Sequence, residues 1–192
     1  MNHMFSQCSS IKELNISNLN TKKVTDMSHI FSGCTSLQNI NISNFNTNNV
    51  TDMSYMFCKC SSLIEINLPN SNNYKLIYLN YMFSECTFLQ NIINISNFKT
   101  NKVINMEYMF NECSSIKELN LSNFNTQNVT DMNHMFCNCS SLIKLNIPNF
   151  NTNNETNMRY MFQDCKLLKT LDISNYDNTN IFSYVIINLI RY

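Results

Sequence analysis

Apolar residues return along this chain at a fixed interval. The stretch Met53-Ser54-Tyr55-Met56-Phe57-Cys58-Lys59-Cys60 has counterparts at Met1–Cys8, Met27–Cys34, Leu79–Cys86, Met106–Cys113, Met132–Cys139 and Met158–Cys165. The closing cysteines, Cys8, Cys34, Cys60, Cys86, Cys113, Cys139 and Cys165, stand 26, 26, 26, 27, 26 and 26 residues apart. A period of this size marks stacked repeats, because a unit so short cannot bury its apolar face without a neighbour.

One unit shows what each position does. Leu37, Ile40 and Ile42 alternate with polar Asn39, Asn41 and Ser43, which predicts a short half-buried strand. The run Ser43 to Asn49 is turn chemistry with Phe45 as its one apolar anchor, and Val50 turns inward again. Met53, Met56, Phe57 and Cys60 then fall at i, i+3, i+4 and i+7, the spacing of one helical face. Thr51 or Asp52 precedes them as an N-cap. The predicted fold is therefore an α/β repeat, a solenoid of seven strand-turn-short-helix units with a parallel sheet on one face. At strand spacing such a stack runs about 30 Å.

Three departures from the repeat are expected to have structural consequences. Ile93 reads as the extra residue behind the single spacing of 27, making a bulge at a strand. The unit around Ser71 to Tyr74 lacks the phenylalanine anchor, and Tyr78 replaces its cap, so this is expected to be the loosest point. Residues 1–177 are read as one repeat body and 178–192 as a degenerate apolar coil or cap.

Thirteen basic and thirteen acidic residues give a formal net charge of zero. No Lys/Arg run appears, which argues against nucleic acid or an anionic membrane as partner. The apolar run Ile181 to Ile190 is too short for a bilayer span, which needs about 20 residues, so no membrane insertion is expected. The first residues lie inside a repeat and lack a signal-peptide pattern. The chain is expected to be part of a longer array or a monomer.

The motif Phe124-Asn125-Thr126-Gln127-Asn128-Val129-Thr130-Asp131-Met132-Asn133-His134-Met135-Phe136 resembles the 26-residue repeat of BspA-type leucine-rich repeat surface proteins, and the likeness covers about Met1 to Asp177. The same repeats occur in mycoplasma lipoprotein-like proteins. The resemblance implies a leucine-rich-repeat-like solenoid, exposure at the cell surface or secretion, and adhesion to host or matrix components. It implies no catalytic motif.

The candidate chemistry is sparse. Cysteines one unit apart could form a disulfide or metal ladder, but each ends an apolar face, where a free thiol behaves as a small buried hydrophobe. Cys58-Lys59-Cys60 and Cys137-Asn138-Cys139 look like zinc half-sites. They lie three units apart, about 15 Å along the stack, too far for ligands that must sit about 2.3 Å from one ion. No metal or cofactor is expected. His3, His29 and His134 occupy the slot of Tyr55, Tyr81, Tyr108 and Tyr160, off the apolar face, and read as surface variants. Asn18, Asn44, Asn70, Asn97, Asn123, Asn149 and Asn175 recur at one turn position and read as a ladder bonding backbone groups of successive coils.

The second asparagine column is the candidate partner-binding face. Asn15, Asn41, Asn67, Asn94, Asn120, Asn146 and Asp172 sit between inward strand residues and should point outward, beside Glu65, Lys117, Glu118 and Lys144. Repeat proteins bind partners on such extended faces. The expected function is non-catalytic recognition of a protein or glycan partner, with an intracellular interaction scaffold as the alternative.

Overall fold

The computed structural model describes residues 1–70, 72–150 and 156–169. Successive units lie side by side, and like residues pair with like. β1 (Asn39–Asn41), β2 (Glu65–Asn67) and β3 (Asn91–Ile93) form a parallel sheet with Ile40 beside Ile66 and Ile66 beside Ile92. β4 (Glu118–Asn120) and β5 (Lys144–Asn146) form a second parallel pair with Leu119 beside Leu145. A separate row of single parallel bridges links Asp26, Asp52, Tyr78, Asn105, Asp131 and Asn157 in turn. The Tyr78 backbone thus keeps the ladder where the side chain departs from the repeat.

The core is a set of columns running along the stack. Phe45, Phe98, Phe124 and Phe150 fill the turn slot and are buried, as are the Met, Phe and Cys positions of the signature stretch from the second unit onward. Threonine spans the turns: Thr21 Oγ1 donates to the Asn46 carbonyl and accepts the Asn46 N–H, and Thr100 does the same at Asn125. In the unit expected to be loosest, buried Asn73 takes the equivalent place and donates to the Val50 carbonyl at 2.7 Å. The expected asparagine ladder is present at Asn44, Asn123 and Asn149, whose Nδ2 atoms reach the Ser17, Ser96 and Ser122 carbonyls of the preceding unit.

The short helix expected over Met53 to Cys60 does not form. The N–H groups of Met53, Tyr55, Phe57 and Lys59 leave the stretch and donate to Tyr78, Asn80, Met82 and Ser84 of the next unit. Those of Met56, Cys58 and Cys60 close four-residue turns onto the carbonyls of Met53, Tyr55 and Phe57. Tyr55 and Lys59 hold φ of 57° and 62°, left-handed values that an α-helix excludes. The physical reason is spacing. The rings at the Phe57 slot stack 5.2–5.7 Å apart from unit to unit. An α-helix with its side chains is about 10–12 Å across, so none fits in each unit at that pitch. Met53, Met56, Phe57 and Cys60 are nevertheless all buried, as the helical reading required.

The bulge also differs in detail. Ile93 stays in register opposite Asn67, and the extra residue is Asn94, at φ 67°. Asparagine tolerates the left-handed region, whereas β-branched isoleucine does not. A single 3₁₀ turn, Ile95–Asn97, follows, and the sheet ends there, separating β3 from β4. The expected C-terminal coil over 178–192 lies outside the described residues.

Candidate interaction faces

The outward column behaves as expected at Asn15, Asn41, Asn120 and Asn146, all exposed, while Asn67 and Asn94 are half-buried. Asp172 lies outside the described residues. These amides also hold the strand ends. Asn15, Asn41 and Asn120 accept the N–H of Ser17, Ser43 and Ser122 at 3.1, 2.9 and 3.0 Å, closing Asx turns. Asn67 and Asn146 precede Leu68-Pro69 and Ile147-Pro148, where the proline offers no N–H. Asn146 Nδ2 instead reaches Asn120 Oδ1 at 3.1 Å, and Asn94 Nδ2 reaches both Asn67 Oδ1 and the Leu68 carbonyl at 3.1 Å.

The fold divides the candidate residues into two groups. A groove of about 720 Å³ crosses the three-stranded sheet and gathers Glu13, Asn15, Asn41, Glu65, Asn67 and Ile93. Lys117, Glu118, Asn120, Lys144 and Asn146 lie at or beside the β4–β5 pair, outside this groove, and Lys144 Nζ faces Glu118 Oε2 at 3.9 Å in solvent. A solvated pair of this kind contributes little, about 0–1 kcal/mol.

Sequence reasoning missed the order of the aromatic slot. His3, His29, Tyr55, Tyr81, Tyr108, His134 and Tyr160 form one continuous column of rings with centroids 4.3–4.9 Å apart. All of them hold φ between 54° and 59°. The strict aromatic occupancy of the slot was the available signal. Burial between neighbouring rings pushes the His29 imidazole below its ordinary value, and proximity to His3 pushes the same way. Burial likewise lowers His134 and raises Tyr55, Tyr81 and Tyr108.

All nine cysteines are free thiols, and among the described residues no group of three or more His, Cys, Asp or Glu is placed to hold a metal. From the second unit on, each ladder cysteine donates its S–H to the phenylalanine carbonyl one unit earlier, at 3.0–3.1 Å. Burial pushes Cys34, Cys58 and Cys137 up to about 11 and Cys165 up to about 12. Cys60, Cys86, Cys113 and Cys139 are raised further for the same reason. Burial thus disfavours the thiolate, the form in which a cysteine attacks or ligates. Among the described residues no helix is long and apolar enough to cross a membrane.

Three solved structures show limited similarity to the chain. A leucine-rich repeat protein from Eubacterium ventriosum shares 15% identity over 72% of this chain and 37% of its own, with a TM-score of 0.45. A leucine-rich cell surface protein from Faecalibacterium prausnitzii shares 18% over 74% of this chain and 44% of its own, at 0.44. A leucine-rich repeat protein from Leptospira interrogans shares 16% over 89% of this chain and 39% of its own, at 0.47. This chain therefore spans less than half the length of each of the three. No curated protein matches it. A family model described as "Mycoplasma protein of unknown function, DUF285" matches residues 1–119 and 77–185. The chain belongs to that family.

Proposed function

We propose that this protein is a non-catalytic recognition module that binds a protein or glycan partner through its polar sheet face, at the cell surface or in secreted form. Residues 1–177 are read as one repeat body serving that face. The observation that carries the reading is the groove across β1–β3, where amide and carboxylate side chains from successive units converge. Side chains on adjacent strands stand about 4.8 Å apart, so the face offers a regular grid of hydrogen-bonding groups.

The test is capture of immobilised matrix proteins and glycans by the wild type and by an Asn41→Lys, Asn67→Lys, Asn120→Lys variant. Asn94 is left intact, because its left-handed backbone and its bonds to Asn67 and Leu68 hold the bulge. Capture should be lost while the variant still unfolds cooperatively, at a melting temperature lowered by the missing side-chain bonds of Asn41, Asn67 and Asn120. Capture at unchanged affinity would remove the sheet face from consideration.

One observation favours a second reading, an intracellular interaction scaffold. The cysteine column acts as a set of thiol donors, which requires the reduced state found inside cells. Protease treatment of intact source cells separates the two. Release of peptides from the chain supports the surface reading, and protection until lysis supports the scaffold.

A further inference from the structure

Within the sheet-face groove, one residue breaks the pattern. Ile93 stands in register with Asn67, in the column that Asn15 and Asn41 continue, yet it presents an aliphatic side chain that is 41% exposed. The asparagine that the repeat would place there has moved one position on, to Asn94, and lines the bulge. The groove therefore carries an exposed aliphatic side chain at its β3 end, beside the amides and carboxylates that β1 and β2 present among Leu14, Ile16 and Ile40.

Its charge is one-sided. Glu13 and Glu65 both line the groove and are exposed, and neither forms an ion pair with a described residue. Glu65 Oε2 accepts from Asn91 Nδ2 at 3.5 Å. Among the described residues neither lysine nor arginine lines the groove, and Lys12, next to Glu13 in sequence, is outside it. Carboxylates in a concave surface focus a negative potential that draws cations and rejects anions. Nor does an aromatic ring of the described residues line the groove, so they offer a sugar no flat platform for its C–H face.

We infer that this groove takes a basic segment of a protein partner, with an apolar side chain of the segment seated against Ile93 and cationic side chains over Glu65 and Glu13. The inference rests on the sheet-face reading and narrows it to a peptide ligand. Asn15, Asn41 and Asn67 have amide groups on the floor that can bond the segment's backbone.

The experiment uses short synthetic peptides that alternate Lys with Leu, Lys with Ser, or Glu with Leu, titrated against the full chain at low and high salt. The Lys–Leu peptide should bind, and more weakly as salt rises. Ile93→Asn, which restores the residue of the neighbouring slots, should weaken it about tenfold, the size of a partly covered aliphatic contact. Glu65→Gln should weaken it and flatten the salt dependence. The Lys–Ser peptide should not distinguish wild type from Ile93→Asn, and the Glu–Leu peptide should not bind. Absence of Lys–Leu binding, equal binding of Glu–Leu, or indifference to Ile93→Asn each overturns the inference. A glycan panel run alongside separates this failure from that of the broader reading. Glycans captured by wild type and lost on Asn67→Lys would sink the peptide ligand but keep the sheet face. Ligands of either class that survive Asn67→Lys would sink both.

Discussion

The Cys86 thiol donates to the carbonyl of Phe57, one unit earlier, at 3.1 Å, and both residues are fully buried. That carbonyl also accepts the Cys60 N–H of its own turn at 3.0 Å. The cysteine column thus satisfies buried oxygens as well as filling space, which makes it a structural device that depends on reduced sulfur. A thiol reagent should modify few ladder cysteines in the native protein at neutral pH and all nine in denaturant, because burial suppresses the thiolate. Complete labelling without denaturant would contradict this packing. Cys86→Ala should cost about 1–2 kcal/mol from lost contacts and one weak hydrogen bond.

Backbone strain recurs at the seventh position of the signature stretch. It is held by Gln7, Gly33, Lys59, Glu85, Glu112, Asn138 and Asp164, all at positive φ. Gly33 is the one residue there without a Cβ, and an added Cβ would lie 2.5 Å from Gln7 Nε2. A left-handed residue other than glycine costs about 1–2 kcal/mol, partly offset by glycine's extra freedom in the unfolded chain. Gly33→Ala should therefore destabilise, and Glu112→Gly should stabilise by about 0.5–1 kcal/mol. Urea melts of the two variants should shift in opposite directions, and a shared direction would refute the strain argument.

The turn anchor is a core residue. Phe124 is fully buried among the stacked units, so Phe124→Ala should cost about 3–5 kcal/mol in chemical denaturation. An effect near zero would mean that the turn does not pack on the stack.

Stability should fall on mild acidification through the aromatic column. The folded-state values of His29 and His134 are depressed, by burial first. The unfolded chain therefore takes up protons first, so the stabilising contribution is complete above about pH 6.5 and shrinks as pH falls through it. For His29 the neighbours are His3, which opposes its charge, and Asp26 and Asp52, which favour it. For His134 they are Asp131 and Glu107. Replacing both histidines with tyrosine, the residue of the adjacent slots, should flatten the slope between about pH 7.5 and 5.5. An unchanged slope would place the acid sensitivity elsewhere.

How much was legible depends on the kind of signal. The inward set Met53, Met56, Phe57 and Cys60 could be read because burial depends on side-chain chemistry, and the repeat states that chemistry seven times. The outward direction of Asn15, Asn41 and Asn120 followed from strand alternation. The Asn94 bulge was placed correctly to within one residue, and backbone conformation decided which of Ile93 and Asn94 was extra. The groove was not legible, since it depends on where the sheet ends beyond β3.

By itself the sequence determined the repeat, its period, the columns that meet from unit to unit and the free state expected of the thiols. The tertiary structure alone decided the local conformation of the signature stretch. Its apolar spacing satisfies a helix and a stacked turn equally well. The choice falls to the neighbouring unit, close enough to take the N–H of Met53, Tyr55, Phe57 and Lys59, and too close to leave room for a helix. Where each backbone hydrogen bond goes is a property of two coils packed together, and no single repeat contains it.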